Sequence, residues 1–449
     1  MMHRSTLSGI LLAVLVSGLG MGVSTSSVPC DWARPKDAIT LRVLSYQQAD
    51  QAGYREDMKI WEDFQKANPD IRLEVEVLFN DSYHQRLQAS AAAGTLPDLF
   101  YVWPGARSAV IHEKHLAKDL AQLLGPDYLK DFSAAATNPN NQPGKYMAML
   151  PQSFTYTSVM YVNKKLLADN GFAVPTTYAD LKAMVPKLKA KGIAVVMLPN
   201  KDAWPMQSCL FSTVAGRMAG DKFFDDVLAG NAKFTDKPFV DALTVIANLY
   251  KDGIIQRTDN QVGYGEAAGL FASGKAAIYI DGDWRAGAYI TDKKTGKALI
   301  DPKAQESDFV LVPFVSIPGE INPGVVSAVA GCGWAVNGAI PAGSDQEKAA
   351  VRLMKYLYSP EVQAIRFSTG AYVPTRQGVK ADVEPLVAKV PQFYADNPNT
   401  CYVVDGVLDP SVYNVINSGL IELGNGTTTP EKAAAAVQKA YETWKAAQK

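Results

Sequence analysis

The sequence predicts an α/β protein in which sheets are flanked by helices, and the order of patterns along the chain indicates this. Apolar and polar residues alternate over 39–43 and again over 71–77, which is typical of two strands. Apolar residues recur at helical spacing over 54–67, a further helix ends at Gly94, and a third strand is expected at 99–102. The order β-α-β-α-β is typical of a sheet covered by helices.

Similar patterns continue through the rest of the chain, without an internal repeat. Strands are expected over 157–162 and 193–198, and a helix over 175–191 is followed by Gly192 as its stop signal. Longer helical patterns occupy the second half. They lie at 237–251, 344–358 and 430–447.

Length and composition limit the class of protein. The 449 residues are 47% hydrophobic, which is enough for two domains with separate cores. The net charge is -1, from 44 basic and 45 acidic residues, so the charge balance does not favour nucleic acid or an anionic membrane as a partner. The segment 269–275 resembles a phosphate-binding loop, but Ala276 stands where Ser or Thr is required, so we predict no nucleotide cofactor.

The first 30 residues have the layout of a secretory signal. A short basic start precedes an apolar stretch at 7–16 that is too short to span a bilayer. Cys30 follows this region and is a candidate for lipidation, although Pro29 directly before it is a poor match to the usual lipobox. The alternatives are a plain cleaved signal and a lipid anchor at Cys30, and both predict a periplasmic or extracellular protein.

The remaining cysteines and the histidines indicate neither a metal site nor a catalytic centre. Cys209, Cys332 and Cys401 allow at most one disulfide, and their spacings are too wide for zinc. His112 and His115 could share a metal, but a solvated helix face is the favoured interpretation. The chain has no Gly-x-Ser-x-Gly elbow and no histidine beside a candidate nucleophile, so we predict that it is not an enzyme.

The most informative stretch is 271–284. A buried strand at 276–280 ends in a turn that contains Asp281, Asp283 and Trp284. In open α/β sheets ligands bind beyond the carboxyl ends of the strands, so this turn places two carboxylates and a large ring where a ligand would lie. The alternative is structural, with Asp283 capping the next helix and Trp284 packing in the core.

Eight short segments, each weak alone, occur in one order over nearly the whole mature chain. They lie at 61–71, 91–98, 150–151 with 161–164, 175–181, 271–284, 331–336, 350–361 and 370–376. Together they resemble the extracellular solute-binding proteins, family 1, which serve sugar-import ABC transporters. Tyr178 stands where that family usually has Trp, and the irregular lipobox concerns membrane anchoring rather than the family.

The resemblance implies a two-lobed α/β protein with a type II periplasmic-binding-protein fold, in which a multi-segment hinge joins two sheets flanked by helices. The chain would cross between lobes near Met149, Val310 and Tyr372. Ligand would lie between the lobes, and closure about the hinge would bury it. The implied partners are a small carbohydrate and a membrane permease that recognises the closed, monomeric receptor. The implied lobes are 38–148 with 311–372, and 150–309 with 375–449.

Side chains at strand ends facing the implied cleft are suited to a sugar. Sugar rings have apolar C–H faces that suit aromatic rings, and a hydroxyl rim that suits planar polar groups. These candidate positions carry few cationic side chains, which argues against a phosphorylated or strongly acidic solute. Their many aromatic side chains favour a di- or oligosaccharide. The predicted ligand-binding residues are Tyr46, Gln47, Tyr101, Trp103, Tyr156, Trp204, Asp281, Asp283, Trp284, Trp334, Arg376 and Tyr413.

Two other functions stay open on the sequence alone. A receptor of the same fold could bind a polyamine or a peptide, and Asp281 and Asp283 are carboxylates that a polyamine would need. An exported glycan hydrolase using these two carboxylates is least favoured, because the chain lacks histidine and nucleophile motifs. The carboxyl separation that glycoside hydrolysis requires is not visible in a sequence.

Overall fold

The chain folds into two lobes joined by a small sheet. The computed structural model describes residues 38–47, 49, 53–138, 146–370 and 372–448. The predicted signal and Cys30 lie outside the described residues, so export and lipidation stay predictions. The strands are β1 (Ile39–Tyr46), β2 (Ile71–Leu78), β3 (Leu99–Val102), β4 (Leu150–Pro151), β5 (Ser153–Tyr156), β6 (Val159–Asn163), β7 (Ala194–Met197), β8 (Ala276–Asp281), β9 (Phe309–Val312), β10 (Val326–Ala330), β11 (Gly333–Val336), β12 (Val373–Pro374) and β13 (Thr400–Cys401).

Helices cover the sheets of both lobes. The α-helices are α1 (Tyr54–Ala67), α2 (Asn80–Ala92), α3 (Ala109–Glu113), α4 (Leu120–Leu124), α5 (Pro126–Leu129), α6 (Ala134–Thr137), α7 (Lys164–Asp169), α8 (Tyr178–Lys189), α9 (Trp204–Met206), α10 (Ser212–Met218), α11 (Asp221–Ala229), α12 (Lys237–Lys251), α13 (Tyr264–Ala272), α14 (Pro302–Ser307), α15 (Asp345–Leu357), α16 (Pro360–Ser368), α17 (Pro385–Asp396), α18 (Val404–Val407), α19 (Pro410–Asn425) and α20 (Pro430–Ala447). Short 3-10 segments lie at Gly105–Ser108, Arg257–Gln261 and Asp283–Tyr289, and a π turn at Gln207–Phe211 joins α9 to α10.

The first lobe is built on a five-stranded sheet with the order β2-β1-β3-β11-β4. β1 runs parallel to β2 and β3, whereas β11 is antiparallel to β3 and β4. The register places Trp334 of β11 opposite Tyr101 of β3 and Leu150 of β4. Side chains on one face of the sheet pack with Phe64 of α1, and those on the other face pack with Tyr83 of α2. The β-α-β-α-β start therefore forms as predicted.

The second lobe is built on a four-stranded sheet with the order β7-β8-β6-β9. β7 is parallel to β8, and β6 is antiparallel to both β8 and β9. All six residues of β8 are buried, as expected for an apolar strand covered on both faces. Helices α10, α12, α19 and α20 supply one of the two cores of this lobe, and α13 and α17 supply the other.

The hinge is a sheet with the order β12-β5-β10-β13. The chain crosses between lobes where β4 leads into β5, where β10 leads into β11, and at β12, and both β10 and β12 pair with β5. The predicted crossings near Met149 and Tyr372 adjoin these segments. The crossing predicted near Val310 is displaced, because β9 pairs with β6 and Phe314 packs in the second-lobe core, which puts the crossing at 326–336. The remaining lobe limits stay predictions.

Two of the described cysteines, Cys209 and Cys401, and one histidine are buried, whereas Cys332 is half-buried. Cys209, Cys332 and Cys401 are free thiols. His112 is buried, and its Nε2 atom lies 3.4 Å from the carbonyl oxygen of Trp103, so the expected solvated face is wrong for this residue. Within the described ranges, no group of three His, Cys, Asp or Glu side chains could hold a metal ion. No helix in that part of the chain is long and apolar enough to cross a membrane.

Candidate ligand-binding site

A cavity of about 660 Å³ lies between the two lobes, against the hinge sheet. Its lining comes from both lobes and from the crossing segments. The structure brings nine of the twelve predicted residues together there. They are Tyr46, Gln47, Tyr101, Trp103, Trp204, Asp283, Trp284, Trp334 and Tyr413.

The first lobe contributes an aromatic wall made of Tyr46, His84, Tyr101 and Trp103, which we name the first wall. Tyr46 ends β1, Tyr101 lies in β3 and Trp103 follows it, and these neighbouring parallel strands end at one edge of the sheet. The ring centroids of Tyr46 and Trp103 are 4.7 Å apart, as are those of His84 and Trp103. Tyr46 and Tyr101 stack at 6.3 Å, so ring packing orients this wall.

His84 of α2 gives the first wall a neutral imidazole. Burial, and then the nearby charge of Arg107, lowers the pKa of His84 from 6.5 to about 3. A neutral imidazole carries one N–H donor and one acceptor nitrogen. The first wall therefore offers hydrogen bonds to a ligand without adding a charge.

The second lobe contributes Trp204, Tyr264 and Trp284, which we name the second wall. The ring centroid of Trp204 lies 4.8 Å from that of Tyr264 and 6.3 Å from that of Trp284. The Nε1 atom of Trp284 donates a hydrogen bond to the hydroxyl of Tyr264. The buried Nε1 atom of Trp204 has no hydrogen-bond partner among the described residues. The two indoles of this wall are therefore chemically different.

The hinge end of the cavity is organised by Gln152, which is buried between the crossing segments. Its Oε1 atom accepts hydrogen bonds from Arg366 Nη1 at 2.6 Å, from the Tyr372 hydroxyl at 2.8 Å and from Trp334 Nε1 at 3.3 Å. Arg366 Nε also lies 3.3 Å from an oxygen of Asp57, whose pKa is raised by burial. This network joins side chains at all three hinge crossings, Gln152, Trp334 and Tyr372, to Arg366 and Asp57 of the first lobe.

The two lobes also touch each other directly. Arg107 of the first lobe and Asp405 of the second form an ion pair at 2.8 Å, with 22% and 7% of their side chains exposed. Gly105 has φ +69°, and a Cβ atom there would lie 1.9 Å from the carbonyl oxygen of Gly406, so only glycine permits this approach. Tyr413 lines the cavity beside Arg107, and burial raises the pKa of its hydroxyl.

The carboxylates of the lining already have partners within the protein. Asp283 accepts from the backbone N–H of Tyr156 at 2.6 Å and from the hydroxyl of Tyr394, and burial raises its pKa from 3.8 to about 7. Asp202 accepts from the backbone N–H of Tyr264 at 2.9 Å. Asp57 and Asp405 face the two arginines named above, so the charges around the cavity are largely compensated.

Three predicted site residues, Tyr156, Asp281 and Arg376, lie outside the cavity lining. Asp281 is 1% exposed and forms a buried ion pair with Arg285 at 2.6 Å. The hydroxyl of Tyr156 donates to the carbonyl oxygen of Asn397 at 2.9 Å. Arg376 forms an ion pair with a first-lobe carboxylate at 2.8 Å, as suits a residue beside a chain crossing. The polar groups of all three side chains are therefore engaged in contacts within the protein.

The alternative interpretation of the turn after β8, with Asp283 as a helix cap and Trp284 as a core residue, is correct only in part. Gly282 is the N-cap of the 3-10 segment Asp283–Tyr289, and the Asp283 carboxylate binds the backbone of β5 instead of capping. Trp284 packs against the second-lobe core and also lines the cavity. It is therefore both a core contact and a candidate binding residue.

Polar lining residues outside the strand ends are missed by sequence reasoning. Tyr372 lies within a segment that the family resemblance quotes, and Gln152 directly follows the quoted Leu150-Pro151, which is a signal that could have identified them. Arg107 and Asp405 each follow a strand, β3 and β13, by a few residues. His84 lies on a helix, and no sequence signal distinguishes it from a surface residue.

Comparisons with known proteins agree with this architecture. A family model described as bacterial extracellular solute-binding protein matches residues 59–396. The multiple sugar-binding protein of Streptococcus mutans serotype c is 22% identical over 351 residues, which cover 77% of this chain and 77% of that protein.

Solved structures share the fold over almost the whole described chain. One, from work on xylan utilization by the thermophilic bacterium Caldanaerobius polysaccharolyticus, has a TM-score of 0.78 and 24% identity and covers 89% of this chain and 99% of that chain. A chitin oligosaccharide binding protein has a TM-score of 0.77 and 22% identity and covers 91% of this chain and 99% of that chain. The predicted two-lobed α/β fold class is confirmed.

Proposed function

This chain belongs to the bacterial extracellular solute-binding protein family, as its sequence resemblance predicts, and we propose that it is the receptor of a carbohydrate ABC importer. The family places it outside the cytoplasm, and the named relatives are binding proteins rather than enzymes. In this proposal the protein binds a neutral di- or oligosaccharide between its lobes, carries out no reaction, and delivers the sugar to a membrane permease.

The observation that carries the proposal is the pair of aromatic walls lining one cavity from opposite lobes. Aromatic rings suit the apolar C–H faces of a sugar, and amides, hydroxyls and a neutral imidazole suit its hydroxyl rim. Gln47, His84 and Gln152 supply such groups beside the rings. The similarity to a multiple sugar-binding protein supports the same ligand class.

The charges around the cavity favour a neutral solute. Arg107 and Arg366 each face a carboxylate, so neither is free to pair with an acidic or phosphorylated sugar. Asp283 is engaged by Tyr394 and by backbone, and Asp281 lies behind the wall, which removes the two carboxylates on which a polyamine site would depend.

The size of the cavity favours more than one sugar ring. About 660 Å³ lies in the middle of the range for sites that hold drug-sized ligands, roughly 300–1,000 Å³. We propose the nine predicted lining residues, together with His84, Gln152 and Tyr264, as the binding site. A monomeric state and a lipid anchor at Cys30 remain predictions.

The test is thermal unfolding of the mature chain, residues 31–449, with maltotriose, xylotriose, chitotriose, raffinose and mannitol. A ligand at about 100 times its dissociation constant should stabilise the folded state by about 2.7 kcal/mol. We expect a shift with at least one neutral oligosaccharide and none with its uronic-acid counterpart or with spermidine. If spermidine or a peptide raised the unfolding temperature and no neutral sugar did, the carbohydrate assignment would be overturned and the fold assignment would stand.

A further inference from the structure

The position of Trp284 depends on a glycine and a hydroxyl. Its indole ring lies over Gly282, where a Cβ atom would come within 2.2 Å of the ring. Gly282 has φ -75°, which any residue adopts, so glycine is required here for space rather than for backbone freedom. The other constraint is the hydrogen bond from Trp284 Nε1 to the Tyr264 hydroxyl.

The Tyr264 hydroxyl is itself oriented by a buried carboxylate. It accepts from Trp284 and donates to Asp281 Oδ1 at 3.2 Å, so one O–H joins the indole to the carboxylate. Tyr264 is 6% exposed, and the guanidinium of Arg285 lies 4.0 Å from the centre of its ring. Tyr264 is therefore held at both its ring and its hydroxyl.

Asp281 is fixed on every side. Its Oδ2 atom accepts from Arg285 Nε at 2.6 Å and from the Tyr279 hydroxyl at 2.8 Å, and its Oδ1 atom also accepts from the N–H of Gly282 at 2.7 Å. A charge so deeply buried is stable only when it is paired and hydrogen-bonded, so this carboxylate has one geometry.

We infer that Asp281 and Tyr264 are positioning residues that hold Trp284 in the orientation in which it stacks on the sugar, an inference that rests on the proposed function. The indole N–H of Trp284 already donates to Tyr264, so the ring can contact the ligand only through its face. Asp281, which the sequence suggests as a ligand contact, acts instead through Tyr264, one layer behind the cavity.

The informative variant is Tyr264→Phe, which removes the hydroxyl and keeps the ring. We expect binding of xylotriose, chitotriose or maltotriose, whichever stabilises the protein most, to weaken about five-fold or more, the loss expected for a hydrogen bond worth about 1 kcal/mol. Tyr279→Phe is the matched control, because it removes another phenol–Asp281 hydrogen bond that does not reach Trp284. It should lower stability similarly and leave affinity within about two-fold of wild type.

A double-mutant cycle that combines Tyr264→Phe with Trp284→Ala shows whether the loss of affinity in Tyr264→Phe acts through the Trp284 indole. In the Trp284→Ala background, Tyr264→Phe should cost no further affinity if its role is to position Trp284. Equal losses from Tyr264→Phe and Tyr279→Phe, or an undiminished effect of Tyr264→Phe without Trp284, would overturn the inference.

A ligand-free readout keeps this inference separate from the carbohydrate assignment. Tyr264→Phe should make tryptophan fluorescence more accessible to acrylamide, and this change should vanish when Trp284 is replaced by Phe. If no sugar binds the wild-type protein, the proposed function fails while this quenching result still decides whether Tyr264 holds Trp284. Unchanged quenching in Tyr264→Phe would contradict the positioning role.

Discussion

The two walls of the cavity present similar rings but are held by different forces. The first wall is oriented mainly by ring packing, with Tyr46, His84 and Trp103 in mutual contact, although the Tyr46 hydroxyl also donates to Asn80 Oδ1 at 3.0 Å. The second wall is oriented by hydrogen bonds that lead from Trp284 through Tyr264 to a buried Asp281–Arg285 pair. Packing is spread over many atoms, whereas the polar network depends on single ones.

The difference predicts how each wall tolerates change. A wall held by packing should accept the loss of one hydroxyl but respond to the loss of ring volume. A wall held by a polar network should respond to the loss of one hydroxyl, because a buried donor or acceptor is then left without a partner. The first wall should therefore tolerate small substitutions, whereas the orientation of the rings in the second wall should depend on individual hydrogen bonds.

A large effect on sugar release is expected where the two lobes touch, at the Arg107–Asp405 ion pair. Asp405→Asn leaves the Arg107 charge without its partner in a half-buried site and weakens the direct contact between lobes. We expect the bound sugar to dissociate about ten times faster, which stopped-flow measurements of the off-rate would show.

The control for that variant is Glu347→Gln. Glu347 pairs with Lys118 at 2.7 Å, with 14% and 16% of the side chains exposed, but both residues belong to the first lobe. Its removal should lower stability without changing the off-rate. An unchanged off-rate in Asp405→Asn, or an equal increase in Glu347→Gln, would show that the pair does not hold the lobes together.

A smaller effect is the opposite pH dependence of the two sides of the cavity. Burial raises the pKa of Asp283 to about 7, so its contribution to stability is present below about pH 4 and is lost as the pH rises through 7. Burial lowers the pKa of His84 to about 3, so its contribution is present above about pH 6.5 and is lost as the pH falls.

Urea unfolding at several pH values between 4 and 8 separates these contributions. Relative to wild type, Asp283→Asn should gain stability as the pH rises from 4 to 7, and His84→Gln should gain stability as the pH falls from 6.5 to 4. Asp259, whose pKa is also raised to about 7, is common to all three proteins and cancels in the differences. Parallel profiles for wild type and both variants would contradict the assigned protonation states.

Much of the fold can be predicted from local patterns, because the buried strand and its turn at 276–284 need no distant information. The crossing at 326–336 could not be placed so well. β9 is an apolar strand that pairs with β6, and only the tertiary pairing shows that the chain stays in the second lobe after Val310. A local pattern specifies a strand but not the sheet to which it belongs.

The candidate site divides in a similar way. Aromatic residues at strand ends, such as Tyr46 and Trp103, could be placed because parallel strands end at one edge of a sheet. The position of Asp281 outside the cavity could not be predicted, because its ion pair with Arg285 depends on how the 3-10 segment after β8 turns back. The contact of Arg107 with Asp405 joins distant parts of the chain and exists only once both lobes have folded.

The central claim is that a sugar stacks on the second wall, and calorimetric titration of Trp284→Ala tests it most directly. The titrant is the neutral oligosaccharide that stabilises wild type, and the control is Trp444→Ala, a half-buried indole on α20 that does not line the cavity. We expect about 30-fold weaker binding for Trp284→Ala, equivalent to about 2 kcal/mol, and wild-type affinity for Trp444→Ala. Wild-type affinity in a folded Trp284→Ala protein would contradict the account.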